Sequence, residues 1–92
     1  MSIGGFRNKG LEELFVDGAT RRIGRQHHKA ALLILDLIDH IAGPADCAGV
    51  RRFHELKGER KGTYALLVSG NYRITFRWRN GEVHDVDFED YH

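Results

Sequence analysis

The chain has a single cysteine, Cys47, so no internal disulfide can form. One thiol without clustered partner ligands is not a zinc site either, and the small-residue stretch after Pro44 gives Cys47 a structural role. Long apolar runs are missing. The longest, Ala30 to Leu35, falls far below the roughly 18 residues that suggest a membrane span. The opening Met1-Ser2-Ile3-Gly4-Gly5 has neither a basic nor an apolar leader segment. A cytoplasmic protein with no membrane partner is the expectation. There is no phosphate-cradling P-loop, no G-x-G-x-x-G and no H-E-x-x-H, so neither a nucleotide cofactor nor a zincin-type metal site is expected. A strong excess of one charge is absent too. Fourteen Lys and Arg against thirteen Asp and Glu leave +1, whereas a protein held to RNA by charge alone is usually more basic.

What is present is an uneven distribution. Residues 51–61 hold Arg51, Arg52, Lys57, Arg60 and Lys61 against Glu55 and Glu59, while residues 82–90 hold only acidic charges: Glu82, Asp85, Asp87, Glu89 and Asp90. A hydrophobic fraction of 41% over 92 residues describes one small folded domain, spanning 1–92, with one modest core.

The periodicity changes midway. Phe6 to Phe15 reads as a short helix stopped by Asp17-Gly18, and Arg25 to Ile41 as a longer one ended by Gly43-Pro44. The seam of the second helix contains Ala30, Leu33, Ile34, Leu37, Ile38 and Ile41, and Ala31, Leu32 and Leu35 widen its apolar surface. That width fits packing against both a sheet and the first helix; the alternative is a surface for a partner or a second copy. From residue 50 the period is two. Strands are expected at Val50–Leu56, Thr63–Val68, Tyr72–Trp78 and Val83–Phe88, with a glycine-flanked basic loop at Lys57–Gly62. The result is an α+β domain.

The register of the last hairpin can be argued. A two-residue Asn80-Gly81 turn would set Ile74 opposite Asp87 and Phe76 opposite Asp85, burying carboxylates. An odd Arg79-Asn80-Gly81 loop pairs aromatic with apolar and arginine with aspartate. The odd loop is therefore expected. Ile74, Phe76, Trp78, Val86 and Phe88 then face the helices, and Arg73, Thr75, Arg77, Asp85, Asp87 and Glu89 face outward, with Tyr91 continuing their parity.

His27 and His28 are neighbours that cannot converge on one metal, and they read as surface residues, as do His40 and His84. His54, Lys57, Arg73, Asp90, Tyr91 and His92 remain. Metal-free cleavage of an RNA phosphodiester needs two proton transfers and neutralisation of the phosphorane-like transition state. Histidine suits the first at neutral pH, and lysine and arginine suit the second. An exposed tyrosine can stack on an unpaired base. Each residue also has a plain explanation: Lys57 as a solvated charge, Arg73 as a surface ion pair with Asp87 or Glu89 worth about 0–1 kcal/mol, and the terminal Asp-Tyr-His as a frayed tail.

The sequence resembles the HigB host-inhibition toxins of the RelE/ParE-like superfamily. The resemblance is carried by Phe6-Arg7-Asn8-Lys9-Gly10-Leu11, Gly18-Ala19-Thr20 with Ile23, His54-Glu55-Leu56-Lys57-Gly58-Glu59-Arg60-Lys61-Gly62, Asn71-Tyr72-Arg73-Ile74-Thr75-Phe76, Asp85-Val86-Asp87 and Glu89-Asp90-Tyr91-His92. It implies two N-terminal helices packed on a small, twisted, mainly antiparallel sheet, with a short first strand at about residues 2–6. It also implies an mRNA interferase that cuts message in the A site of the 70S ribosome, and a HigA-like helix-turn-helix antitoxin through which alone DNA would be met.

In that resemblance the catalytic positions are His54, Lys57, Arg73, Asp90, Tyr91 and His92. Arg51, Arg52, Arg60, Lys61 and Arg77 are the candidate RNA contacts. Lys57 and Arg73 are expected on the non-bridging phosphate oxygens, with His54 and His92 moving protons, Tyr91 against the nucleotide and Asp90 orienting a neighbour. The chain departs from the family at Glu55, where proline is commoner, and in its near-neutral charge. A superfamily fold also serves non-enzymatic binders of gyrase. A pure binder has no chemical reason to assemble His54 with Asp90-Tyr91-His92.

Overall fold

The computed structural model describes residues 3–90. Two helices, α1 (Lys9–Asp17) and α2 (His28–His40), precede the strands β1 (His54–Glu55), β2 (Thr63–Ser69), β3 (Tyr72–Arg79) and β4 (Glu82–Asp90). The strands form one antiparallel sheet in sequential order, and the helices cover its inner face. This is the expected α+β architecture.

Helix α1 starts later than its apolar pattern suggested. Asn8 caps it, the side-chain oxygen accepting the Leu11 N–H at 2.9 Å. Gly18 ends it in the left-handed region, its N–H donating to the Leu14 carbonyl. Phe6 therefore lies outside the helix. It bridges Val86 in parallel, as Ile3 bridges Val83, and Gly4 and Arg7 donate to the Val83 and Val86 carbonyls at 2.7 and 2.8 Å. Among the described residues, the first strand implied by resemblance is present as these bridges.

In α2 the buried seam is Ala31, Ile34, Leu35 and Ile38, rotated from the expected one. Leu33, which the expected seam included, is 56% exposed. Ala30, Leu32 and Leu37 are partly buried against the core, so most of the wide apolar surface is consumed internally. The core joins these residues to Leu11 and Leu14 of α1 and to Leu66, Ile74, Phe76, Val83 and Val86 of the sheet.

The strand expected at Val50–Leu56 is reduced to His54–Glu55. Arg51 and Arg52 both have positive φ, 45° and 56°, incompatible with extended backbone. Phe53 N–H closes a turn onto the Val50 carbonyl at 2.8 Å. His27 is likewise not a surface residue: it is buried against the rings of Tyr72 and Phe88, with Nδ1 3.0 Å from Ser69 Oγ.

The last hairpin corrects the expected turn but keeps its consequence. Arg79 pairs with Glu82, so Asn80-Gly81 is a two-residue turn, with φ of 53° and 80°. Two consecutive left-handed residues match the twist of a tight hairpin, the usual preference of Asn-Gly. The odd residue sits in β4 instead. Arg77 pairs with His84 and Thr75 with Asp87, leaving Asp85 and Val86 opposite Phe76 alone. This is a β-bulge, with Asp85 at φ 55°. Beyond it Ile74 meets Phe88 and Arg73 meets Glu89, and no carboxylate enters the core.

The rotated seam yields a direct contrast. Leu35→Ala should lower stability by about 2–5 kcal/mol, whereas Leu33→Ala should change it by less than about 0.5 kcal/mol. Denaturant titration of both variants measures the difference.

Candidate active site

The outward face of the sheet carries the candidate chemistry. His54 projects from β1, paired with Ala65 of β2, and is exposed. Its Nδ1 lies 2.8 Å from the Arg52 carbonyl oxygen. A carbonyl only accepts, so Nδ1 carries the proton in this bond and Nε2 is the basic nitrogen of the neutral ring. The left-handed backbone at Arg52 helps place that carbonyl.

Lys57 leads into a 3-10 turn, Gly58–Arg60, and is exposed. Glu55 accepts the Gly62 N–H at 2.8 Å and closes this loop.

Arg73 lies at the centre. Its side chain is 13% exposed and lines two clefts with His54. One, about 340 Å³, also includes Lys57 and Arg60. The other, about 240 Å³, includes Arg52, Asn71 and the β2 residues Ala65 to Leu67. His54, Lys57 and Arg73 thus border one cleft although they come from three segments. Asp90 sits opposite Tyr72 at the end of β4, one residue past the Arg73–Glu89 pair. Tyr91 and His92 lie outside the described residues.

The candidate RNA contacts divide by environment. Arg52, Lys57 and Lys61 are exposed cations around the clefts. Arg77 is exposed while donating to Thr63 Oγ1 at 3.1 Å. Arg51 turns inward and donates to the Leu67 and Val68 carbonyls at 3.3 and 3.1 Å, where it also supports the bend between the β1 approach and β2. Arg60 is held by Glu89, its two terminal nitrogens meeting the two carboxylate oxygens at 2.8 and 2.5 Å.

Glu89 was not among the sequence-derived site residues, except as one possible ion-pair partner of Arg73. It also receives Arg73 Nη2 at 3.3 Å and the Thr75 hydroxyl at 2.6 Å. Thr75 is only 1% exposed, although its parity is outward. Hydrogen bonds from Arg60 above all, with those from Thr75 and Arg73, hold the Glu89 carboxyl at a pKa of about 2, against the opposing effect of burial. The signal in the sequence was the acidic zone facing the basic one. Which acid met which base required the bulge.

Two helices on a four-stranded antiparallel sheet, with cations and a histidine on its outer face, form an α+β domain consistent with the RelE-like class of protein. The comparisons make the assignment narrower. Residues 4–92 match the family model described as the RelE-like toxin of the type II toxin-antitoxin system HigB. The chain is also 34% identical over 88 residues to endoribonuclease HigB of Proteus vulgaris, which covers 95% of this chain and 96% of that protein. The chain belongs to the HigB family of toxins.

A carboxyl whose pKa is lowered by folding stabilises the fold above its unfolded value, near 4.5, and loses that contribution as pH falls toward about 2. Between those limits the melting temperature of the protein should fall more steeply than that of Glu89→Gln, which has no such group to titrate. Equal slopes in thermal scans across this range would contradict the assignment.

Proposed function

We propose that this toxin is a ribosome-dependent endoribonuclease that cleaves message in the A site by metal-free transesterification. The observation that carries the reading is the convergence of His54, Lys57 and Arg73 on one cleft of the open sheet face. The name of the Proteus relative supports the same activity.

In this scheme the 2′-oxygen of the nucleotide attacks the adjacent phosphorus as a base removes its proton. The 5′-oxygen of the next nucleotide leaves and is protonated by an acid. The products are a 2′,3′-cyclic phosphate and a 5′-hydroxyl. Nε2 of a neutral His54, held at Nδ1 by the Arg52 carbonyl, suits the base. His92 then supplies the proton to the leaving oxygen. Lys57 and Arg73 neutralise the non-bridging oxygens, the electrostatic contribution that is usually largest. Tyr91 stacks on the target nucleotide, and Asp90 orients a neighbouring side chain. Arg52, Lys61 and Arg77 bear on the surrounding RNA backbone, together with the cationic edges of Arg51 and Arg60.

As a type II toxin the protein has an antitoxin partner. A HigA-like helix-turn-helix protein fits that role and would carry the only DNA contact. The toxin works in the cytoplasm, where the 70S ribosome and its message are available. Among the described residues no helix is long and apolar enough to cross a membrane.

Induced expression followed by mapping of message 5′-ends tests this reading. In-frame cuts bearing 5′-hydroxyls are expected, and His54→Ala, Arg73→Ala and His92→Gln should each reduce cleavage by about 10²–10⁴-fold. Full activity in both Arg73→Ala and His92→Gln would remove the site assignment. Loss of cleavage on chelation that leaves ribosomes intact would remove the metal-free scheme.

A further inference from the structure

Two of the cations that line the cleft with His54 and Lys57, namely Arg60 and Arg73, share one carboxylate, that of Glu89. Thr75 is 1% exposed, and its hydroxyl donates to Glu89 Oε2 at 2.6 Å. The Glu89 carboxylate then receives Arg60 on both oxygens and Arg73 on Oε1. Glu89 belongs to β4, in register with Arg73 of β3, and its side chain is 18% exposed. The carboxylate is bound on both oxygens, and the long arginine side chains around it are the parts that need direction.

We propose that Glu89 is a positioning residue for RNA cleavage: it aims the Arg73 guanidinium into the His54 cleft and, through Arg60, holds the Lys57–Lys61 segment against the sheet. The inference rests on the ribonuclease reading of this cleft.

Three features separate this arrangement from an ordinary surface ion pair. Arg60 and Glu89 are 29 residues apart in sequence, so their bidentate pair ties a loop to a strand. The same loop is closed at its other end by Glu55, which accepts the Gly62 N–H at 2.8 Å. The buried Thr75 hydroxyl in turn donates to the carboxylate itself. Two guanidiniums share one carboxylate, so the cluster keeps a net positive charge, to which Lys57 adds. Glu89 thus orders the cations without cancelling their attraction for a phosphate. Donors ordered before the substrate arrives need no reorganisation during reaction, which is the source of most electrostatic catalysis.

Single-turnover cleavage of message on programmed ribosomes, followed as toxin concentration is varied, tests the role. The maximal rate should fall about 100-fold in Glu89→Ala and about tenfold in Glu89→Gln and Thr75→Val, because small misplacements of a catalytic group have effects of this size. The half-saturating concentration should change by less than about threefold, since the loss lies in the reacting complex rather than in binding. Glu59→Gln, which removes a like charge from the same loop without removing a ligand of either guanidinium, should behave as wild type. If Glu89→Ala melts below the assay temperature, the two shape-conserving variants decide.

An unchanged maximal rate in Glu89→Gln and Thr75→Val would overturn the proposal. Tighter half-saturation with an undiminished rate would also overturn it, because Glu89 would then be a competitor of the phosphate. If the wild type itself failed to cleave, the ribonuclease reading would fall and the positioning role with it. Cleavage by wild type with indifferent variants would remove the positioning role alone.

Discussion

The arrangement of the sheet depends on one extra residue in β4. Asn-Gly in the left-handed region gives the tightest hairpin the chain can make here. Carried through without interruption, that turn would place Asp85 beside Phe76 and Asp87 beside Ile74 on the core side. Burying two unpaired carboxylates costs more than a local distortion of the ladder. The bulge at Asp85 resolves the conflict, because side chains alternate with period two and one inserted residue reverses every position after it. Val83 and Val86, three apart, both reach the core, and Phe88 returns to it beside Ile74. The same reversal sends Asp87 and Glu89 to the outer face, where Arg73 and Thr75 await them.

The near-neutral total charge takes on a different meaning once this face is assembled. The basic zone at 51–61 and the acidic zone at 82–90 are not separate patches with independent partners. Arg60 of the first meets Glu89 of the second, and Glu55 binds the backbone of its own loop. Acidic side chains here direct basic ones and hold the loop that carries them. Exposed cations at Arg52 and Lys57 still border the clefts, with Lys61 beside Lys57 in the adjoining loop. Attraction for a polyanion over distances near the ~8 Å screening length of physiological salt follows this local distribution rather than the sum over the chain.

The helices contribute through the back of the sheet. Ala31, Ile34, Leu35 and Ile38 press on its inner face. His27, at the approach to α2, packs against Tyr72 and Phe88 and reaches Ser69. It thereby supports the strand ends from which Asp90 emerges. A histidine adjacent to another histidine at a helix start gives no sign of this in the sequence, since burial is a property of what packs over it.

Local patterns were sufficient for much of this. Period 3.6 followed by period two places the helices before the strands, Asn80-Gly81 marks a hairpin, and parity puts Arg73 outside and Ile74 inside; all of these depend on neighbours within a few residues. Parity even required an odd residue in the hairpin, and the three-residue step from Val83 to Val86 was its trace in β4. Turn chemistry alone could not say whether loop or strand held it. The phase of α2 was read one position off, since nine apolar residues in a row of turns define a wide face and only the packed sheet selects the buried line within it. The strand expected at Val50–Leu56 failed because apolar alternation carries no information about the left-handed Arg51 and Arg52. His54, Lys57 and Arg73 were recognisable as reactive types, but their convergence on one cleft, and the Glu89 carboxylate that orders the arginines, depend on contacts made between residues up to 29 apart in the chain. Distances of that kind follow from how strands pair and pack, and not from the order of residues along any one of them.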